Sequence, residues 1–237
     1  MKHSYQVVLN NPGPVQRAPS SFRLHSHNSP ERQQLEQFVV DQFERIHGAK
    51  VSHFLPLMMV MNSAEDSSTQ GLVCFHPGFC GPMFLENYLS LPVEQVVAGA
   101  LEVPIDRDLI IEIGNLAVGH RGRGFQLFAV MTAVLFEAGY HWMTFTATED
   151  VERLIGRLGY HPVHLATATA EHLGDAGKEW GQYYARRPRV MVGDIGKARE
   201  TIYNNPRVRP TLDLYHAEIQ HLASCLRDHR RVARAKV

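Results

Sequence analysis

The chain has 237 residues, of which 44% are hydrophobic and 20% charged, and its 24 lysines and arginines equal its 24 acids. This is ordinary globular usage, and zero formal charge excludes general recruitment by nucleic acid or acidic membranes. Three cysteines and fourteen histidines are scattered without ligand spacing, so we expect no disulfide framework and no metal site. Neither a signal-peptide core nor an apolar run of spanning length occurs, which predicts a cytoplasmic protein without stable membrane insertion.

The first third of the chain predicts a polar arm, one helix and one hairpin. Residues 1–28 are polar and contain three prolines, as in a loosely ordered lead-in. Ser29 is expected to cap a helix whose apolar residues recur at helical spacing until Gly48. Two apolar runs, Val51–Met61 and Gly71–Phe75, are joined by a polar segment and predict an antiparallel hairpin.

The rest of the chain alternates strand and helix patterns, which predicts a mixed α/β sheet. Residues 171–210 are polar and give no clear pattern, and a final amphipathic helix with a basic end follows. In order, the predicted elements are a helix from Ser90 to Leu101, a strand over Asp108–Val118, a buried helix over Phe125–Ala138, a strand over Trp142–Thr148, a helix over Asp150–Leu158 and a strand over Pro162–Ala168.

A glycine-rich loop at Val118–Gln126 separates the most apolar strand from the buried helix. Unpaired N–H groups and the positive dipole end at a helix N-terminus bind phosphate, and glycines let the backbone approach the anion. Arg121 and Arg123 add charge that can pair with phosphate oxygens. The loop lacks the spacing of a Walker A or dinucleotide motif. A plain strand-to-helix turn with solvated arginines is the alternative.

This loop resembles the acyl-coenzyme A pyrophosphate loop of the GNAT (N-acetyltransferase) superfamily, with Arg121 and Gly124 matching and Gln126 replacing a small residue. The chain is more similar still to the thermostable hemolysin family, a branch with a GNAT-like fold. A weaker similarity is to acyl-homoserine-lactone synthases, whose acid is matched by Glu112 and whose arginine is replaced by Asn115. The family motifs are Phe84–Leu89, Glu112–Ala117, Phe145–Thr148, Arg157–Gly159 and Trp180–Tyr184.

The resemblance implies a GNAT-like mixed α/β sheet flanked by helices, with an added C-terminal helix. It suggests an arm at 1–28, an acyltransferase domain at 29–198 and a helical extension with a basic tail at 199–237. The acyl donor would be acyl-coenzyme A or the phosphopantetheine of an acyl carrier protein, with no metal. The implied donor-binding residues are Leu116, Ala117, Val118, His120, Arg121, Gly122, Arg123, Gly124, Phe125 and Gln126.

Glu112 is the best candidate for a base or an acceptor-orienting acid, because a charge inside so apolar a strand is costly unless it is paired or functional. The alternative is a structural acid satisfied by an arginine or by backbone groups. Strand alternation places Glu112, Gly114 and Leu116 on one face and Asn115 on the other. Asn115 is a second candidate, as a donor to a substrate carbonyl or as a structural residue.

Four further residues are assigned by the resemblance. Glu86 and Tyr88 belong to the segment that would cover the acceptor, with Tyr88 as a donor or a core residue. Thr146 and Thr148 would line the cleft. Many acetyltransferases carry a tyrosine acid for the leaving thiolate where this chain has Ile155, so that acid is unassigned.

Three hypotheses of function follow. The first is transfer of an acyl group from acyl-coenzyme A or acyl carrier protein to the amine of an amino acid or small metabolite. The second is a membrane-active, hemolysin-type protein, supported by the basic C-terminal end alone. The third is a GNAT-like protein that binds an acyl ligand without catalysis. A small-molecule amine is the expected partner, and acyl carrier protein and a homodimer stay open.

Overall fold

A computed structural model describes residues 20–119 and 123–235. Its centre is a seven-stranded sheet with the spatial order β1-β2-β3-β4-β5-β7-β6. Strands β4 and β5 run parallel, and the other neighbouring described strands are antiparallel. The strands are β1 (Ser20–His25), β2 (Leu57–Ser63), β3 (Thr69–Pro77), β4 (Ile110–Val118), β5 (Trp142–Ala147), β6 (Val163–Thr167) and β7 (Arg189–Asp194).

Helices cover both faces of the sheet, which confirms the predicted α/β class. On one face α3, α5, α6 and α7 share the largest apolar cluster. On the other face α1 and α2 contribute to two smaller clusters. The helices are α1 (Arg32–His47), α2 (Val93–Leu101), α3 (Arg123–Glu137), α4 (Glu149–Arg157), α5 (Ile195–Asn204), α6 (Arg209–Leu214) and α7 (His216–Arg234).

Helix α3 is the helical centre of the core. Its residues from Leu127 to Leu135 are all buried, because the sheet lies on one side and other helices lie on the other. Gly139 ends it with a φ of +81°, a conformation that a side chain would disfavour. The predicted buried helix is therefore confirmed, as are the hairpin of β2 and β3 and the final amphipathic helix α7.

The N-terminal part of the described chain departs from prediction. Residues 20–25 form edge strand β1 against β2, so the expectation of a loose arm is wrong for them. Ser29 does not cap α1 with its side chain. Its hydroxyl accepts a hydrogen bond from Ser26 N–H, and the helix begins at Arg32. The edge strand was not predicted because its pairing partner, β2, lies far along the chain.

The unpatterned region after residue 170 supplies a strand and an extended 3-10 segment. Strand β7 enters the sheet between β5 and β6, so it pairs with the strand that precedes it in the chain and separates that strand from β5. Residues 170–180 form irregular 3-10 turns. The predicted domain limits remain a prediction, and α5 spans residue 198 while α6 and α7 join the main core.

Candidate active site

The sheet opens between β4 and β5. Their parallel pairing runs from Ile110 opposite Trp142 to Ile113 opposite Phe145. Beyond these residues β4 remains paired with β3 on its other side, and β5 remains paired with β7. Residues 114–118 and 146–147 therefore face a gap with unused backbone groups. This gap is the base of the main cleft.

A bulge in β4 directs side chains into the cleft. Leu72 pairs with Ala117 but Cys74 pairs with Gly114, so β4 carries one extra residue there. Asn115 has a φ of +48°, within the left-handed region. As a result Leu116 packs against the α3 side, while Ala117 joins the cluster beneath α1. The predicted simple alternation of Glu112, Gly114 and Leu116 on one face is therefore wrong at Leu116.

The main cleft encloses about 880 Å³ of empty space, part of it open to solvent. It combines residues of β4, β5, α1, α3 and α4 with loops before β2 and β4 and after β6. The residues that line it are Phe43, His47, His53, Leu55, Phe84, Tyr88, Glu112, Ile113, Gly114, Asn115, Leu116, Phe128, Phe145, Thr146, Thr148, Val151, Trp180 and Tyr183.

Glu112 lines this cleft and is 4% exposed. Its carboxylate accepts hydrogen bonds from the backbone N–H groups of Phe84 (2.8 Å) and Leu85 (2.9 Å). Burial raises the pKa of Glu112 to about 8 although these two donors oppose the shift. His76 Nδ1 lies 3.9 Å from the carboxylate, and burial lowers the pKa of that imidazole. Glu112 is thus held by backbone groups, and its raised pKa lies in the range of general bases.

Asn115 uses its side chain to fix the neighbouring wall. Its Oδ1 accepts a hydrogen bond from Leu55 N–H at 3.1 Å, and its Nδ2 donates to His53 O at 3.1 Å. The bulge turns the Asn115 side chain toward Leu55, which also covers Gly114. A Cβ added to Gly114 would lie 2.9 Å from Leu55 Cδ1. The side chain of Asn115 therefore holds the segment His53–Leu55, on the side of the strand that simple alternation did not predict.

Glu86 lies outside the main cleft in a separate ionic cluster. It accepts hydrogen bonds from Arg107 through both oxygens, from Met83 N–H and from Val93 N–H at the start of α2. Burial opposes ionisation, but the hydrogen bonds from Arg107, Val93 and Met83 outweigh it and lower the pKa of Glu86 to about 2. Glu94 joins the cluster through Arg107. These contacts anchor the segment that carries Phe84.

Tyr88, Thr146 and Thr148 all line the cleft, as the sequence predicted for the two threonines. The Tyr88 hydroxyl lies 2.6 Å from the hydroxyl of Tyr184, and burial raises the pKa of Tyr88. Tyr88 is therefore a neutral hydrogen-bonding group. Ile155, where many acetyltransferases have a tyrosine, is buried and lies outside this cleft.

His120, Arg121 and Gly122 of the predicted donor loop lie outside the described residues. Arg123 begins α3, and its guanidinium contacts Ser20 Oγ and Gln126 Oε1, each at 3.3 Å.

The remaining donor-loop residues pack into the fold. Gln126 Nε2 donates to the Tyr215 hydroxyl at 2.9 Å, so this side chain connects α3 to the start of α7. Gly124 is buried against α4, where an added Cβ would lie 3.3 Å from Leu154 Cδ2. Phe125, Leu116 and Val118 are partly buried against the main core. Of the predicted donor-binding residues, Leu116 lines the cleft.

Several lining residues had no prediction as site residues. His47 and His53 carried no signal that separated them from the other histidines. Trp180 and Tyr183 lay in a family motif, but the contact with α1 depends on tertiary structure. Gly181, between them, has a φ of +52°, and an added Cβ would lie 2.4 Å from His47 O, so only glycine fits.

Among residues 20–119 and 123–235, no three histidines, cysteines or acids are grouped as a metal site requires. Within the same described ranges, no helix combines the length and the apolarity needed to cross a bilayer.

The family model for thermostable hemolysin matches residues 25–199. No curated protein matches the chain in sequence. The acyl-homoserine lactone synthase LasI is 14% identical, with a TM-score of 0.55 over 79% of this chain and 96% of that chain. FeeM, an N-acyl amino acid synthase from uncultured soil microbes, is 10% identical, with a TM-score of 0.52 over 81% and 98%. These likenesses establish the GNAT-like fold with its C-terminal helix.

Proposed function

The chain belongs to the thermostable hemolysin family, and we propose that it is an acyltransferase. It would move an acyl group from acyl-coenzyme A or acyl carrier protein to the amine of an amino acid or small metabolite. The observation that carries this proposal is the position of Glu112, a buried acid beside the gap between β4 and β5. An extended thioester arm and an ionisable acid would meet there.

The donor arm fits the gap because the facing backbone groups are unused. Amides of a pantetheine arm would pair with residues 114–118 as an added strand does. The N-terminus of α3, which follows the glycine-rich loop, offers N–H groups and a positive dipole end for a pyrophosphate. Arg121 would add charge from the loop, and Thr146 lines the cleft beside the arm.

Glu112 would act on the acceptor amine. Its ionised carboxylate removes a proton from the ammonium, and the freed nitrogen attacks the thioester carbonyl. The carbon–sulfur bond then breaks, and the thiolate takes the proton that the nitrogen loses on forming the amide. A raised pKa makes Glu112 a stronger base than an exposed carboxylate. Tyr88 is a candidate to donate a hydrogen bond within the cleft.

A second cavity gives room for an acyl chain. Phe145 lines both the main cleft and this cavity, whose apolar wall includes Met143, Ile155 and Tyr160. Because Phe145 belongs to the last β4–β5 pair, at the edge of the gap, a chain that starts at the thioester would reach the cavity past this ring. The proposal therefore includes an acyl group longer than acetyl.

The membrane-active hypothesis gains little support from the basic C-terminal helix. Arg227 donates to Glu137 O, Arg234 pairs with Asp108, and the Arg230 guanidinium lies 4.3 Å from the centre of the Tyr140 ring. These cations dock α7 on its own protein. A basic membrane-binding face would need cations without such partners.

Calorimetric titration with coenzyme A and with decanoyl-coenzyme A tests the donor, and thiol release with a panel of amines tests turnover. Saturable binding and amine-dependent thiol release are expected. Binding without release across the panel would favour the non-catalytic hypothesis. Leakage of liposomes by the purified protein, retained in an Arg121→Glu variant, would favour the membrane-active one.

A further inference from the structure

The charge of the main cleft is unusual for a site that would receive an amino acid. Glu112 is the one acid among the described residues that line it, and no described lining residue is lysine or arginine. His47 and His53 also line it, and burial lowers the pKa of both, so they are neutral at pH 7. A carboxylate inside this cleft would face one acid and no described cation.

Two described arginines that lie close to lining residues, Arg186 near His47 and Arg32 at Leu55, have other partners. Arg186 pairs with Asp150 at 2.6 Å, and Arg32 bonds Glu36 and the carbonyl groups of Leu55 and Pro56. Redirecting either of them toward a ligand would leave a charge or backbone groups without their partner.

Aromatic rings form the outer wall, from α1, the loop before β2 and two 3-10 segments. The rings of His53 and Phe84 stack with centroids 4.6 Å apart, and Phe84 lies 5.8 Å from Trp180. Trp180 in turn lies 5.2 Å from Tyr183 and 6.2 Å from Phe43. Each ring is thus next to another, and together they line the same cleft as Glu112.

Such a wall attracts cations and apolar groups. The faces of aromatic rings carry partial negative charge and bind ammonium groups, most strongly where water is excluded. A buried anion without a partner is costly by contrast. An acceptor with one ammonium group and an uncharged body can pair with Glu112 and pack against the rings. An amino acid also brings a carboxylate, and no cation in the described lining would pair with it.

We infer that the acceptor is a primary amine that carries no free carboxylate, with its nitrogen at Glu112 and its organic body against the Phe84–Trp180–Tyr183 wall. This inference rests on the proposed function and narrows its acceptor from amino acids and small metabolites to carboxylate-free amines. The balanced reaction is ammonium plus thioester giving amide, free thiol and one proton, which leaves through Glu112.

Matched amines that differ only in the carboxylate test the inference. Decanoyl-coenzyme A is the donor, and the acceptors are tyramine, tyrosine and tyrosine methyl ester, with thiol release as the readout. We expect kcat/KM for tyramine to exceed that for tyrosine by on the order of 100-fold. The methyl ester, which is bulkier than tyrosine but lacks its negative charge, should recover most of the difference.

The outcomes separate the inference from the function on which it rests. Acylation of tyrosine as fast as tyramine would overturn the inference and leave the acyltransferase proposal intact. A kcat/KM for the methyl ester as low as that for tyrosine would also overturn the inference. The size of the acceptor, and not its charge, would then determine the rate. A higher calorimetric affinity for tyramine than for tyrosine, without any thiol release, would support the acceptor site and overturn the proposal of acyl transfer.

A substitution at Trp180 tests the role of the aromatic wall. Trp180→Leu should raise KM for tyramine several-fold with a smaller change in kcat, because the ring binds the body of the amine and does not touch the reacting atoms. Trp142→Leu is the matched control, since Trp142 lies on β5 outside the cleft lining. Equal KM in the wild type and Trp180→Leu would contradict a role for this wall in acceptor binding.

Discussion

The carboxylate of Glu112 accepts a hydrogen bond from the backbone N–H of Leu85, 2.9 Å away, and so connects the first half of β4 to the 3-10 turn at Phe84–Tyr88. A second bond comes from Phe84 N–H. The same acid therefore positions a wall of the cleft and presents an ionisable group to it. Experiments on Glu112 must measure stability and chemistry separately.

Replacing Glu112 with glutamine tests its chemical role. We expect acyl transfer to fall by about 10²–10⁴-fold because the amide cannot accept the proton, while coenzyme A affinity changes little. One amide N–H would face a backbone N–H, so thermal unfolding should show a loss of about 1–3 kcal/mol. Glu86→Gln is the control acid outside the main cleft. Equal turnover by the wild type and Glu112→Gln would remove Glu112 from the mechanism.

The pH profile provides a second test of Glu112. Burial raises its pKa to about 8 from 4.5, so the protonated, inactive form dominates below that value. We expect kcat/KM to rise with pH up to about 8, and this step should be absent in Glu112→Gln. The raised pKa has the opposite effect on stability, since the favourable contribution is complete below about 4.5 and is lost as the pH rises through about 8. A wild-type rate that is flat between pH 6 and 9 would contradict the base assignment.

Two arginines near the loop are expected to contribute unequally to donor binding. Arg123→Ala together with Arg121→Ala should weaken coenzyme A binding in calorimetry. Because the Arg123 side chain contacts Ser20 and Gln126, we expect most of the loss in the Arg121→Ala single variant. If only binding to acyl carrier protein weakened, the arginines would form a docking surface for that protein instead.

Glu86 should stabilise the fold through Arg107 and not contribute directly to catalysis. Its pKa of about 2 lies below the ordinary 4.5, so its stabilising effect is present above about pH 4.5 and disappears as the pH falls toward 2. Glu86→Gln should unfold more easily at pH 7, by about 1.5–3 kcal/mol for the lost charged hydrogen bonds. The difference from the wild type should shrink in denaturant titrations at pH 3. A difference that is independent of pH would contradict this assignment.

Two variants of Asn115 distinguish the effect of its backbone conformation from that of its side-chain hydrogen bonds. Asn115→Gly keeps the positive φ easily but loses the bonds to Leu55 and His53, whereas Asn115→Ala loses the bonds and adds strain of about 1–2 kcal/mol. We expect both variants to be less stable, alanine more so, in thermal unfolding. If Asn115 only shapes the wall, Asn115→Gly should raise KM more than it lowers kcat. A selective loss of kcat would restore Asn115 as a group that contacts the reacting atoms.

The order of strands and helices could be predicted because each leaves a local pattern. Helix α3 is apolar throughout and ends at Gly139, and β4 is rich in branched residues, so both were recognisable in isolation. Strand β1 was not, since its pairing partner β2 lies more than thirty residues away and its own sequence is polar. Strand β7 was missed because its place between β5 and β6 is a property of the sheet.

The family, the fold class and the candidacy of Glu112 could be inferred without a structure, because motifs, periodicity and an acid in an apolar strand are local signals. The surroundings of that acid depend on how the chain folds. The bulge at Asn115 reverses the expected face of Leu116, and Trp180 meets Phe84 across almost a hundred residues. Charge balance and aromatic contact in a cleft depend on residues brought together by folding, so no stretch of the chain could reveal them.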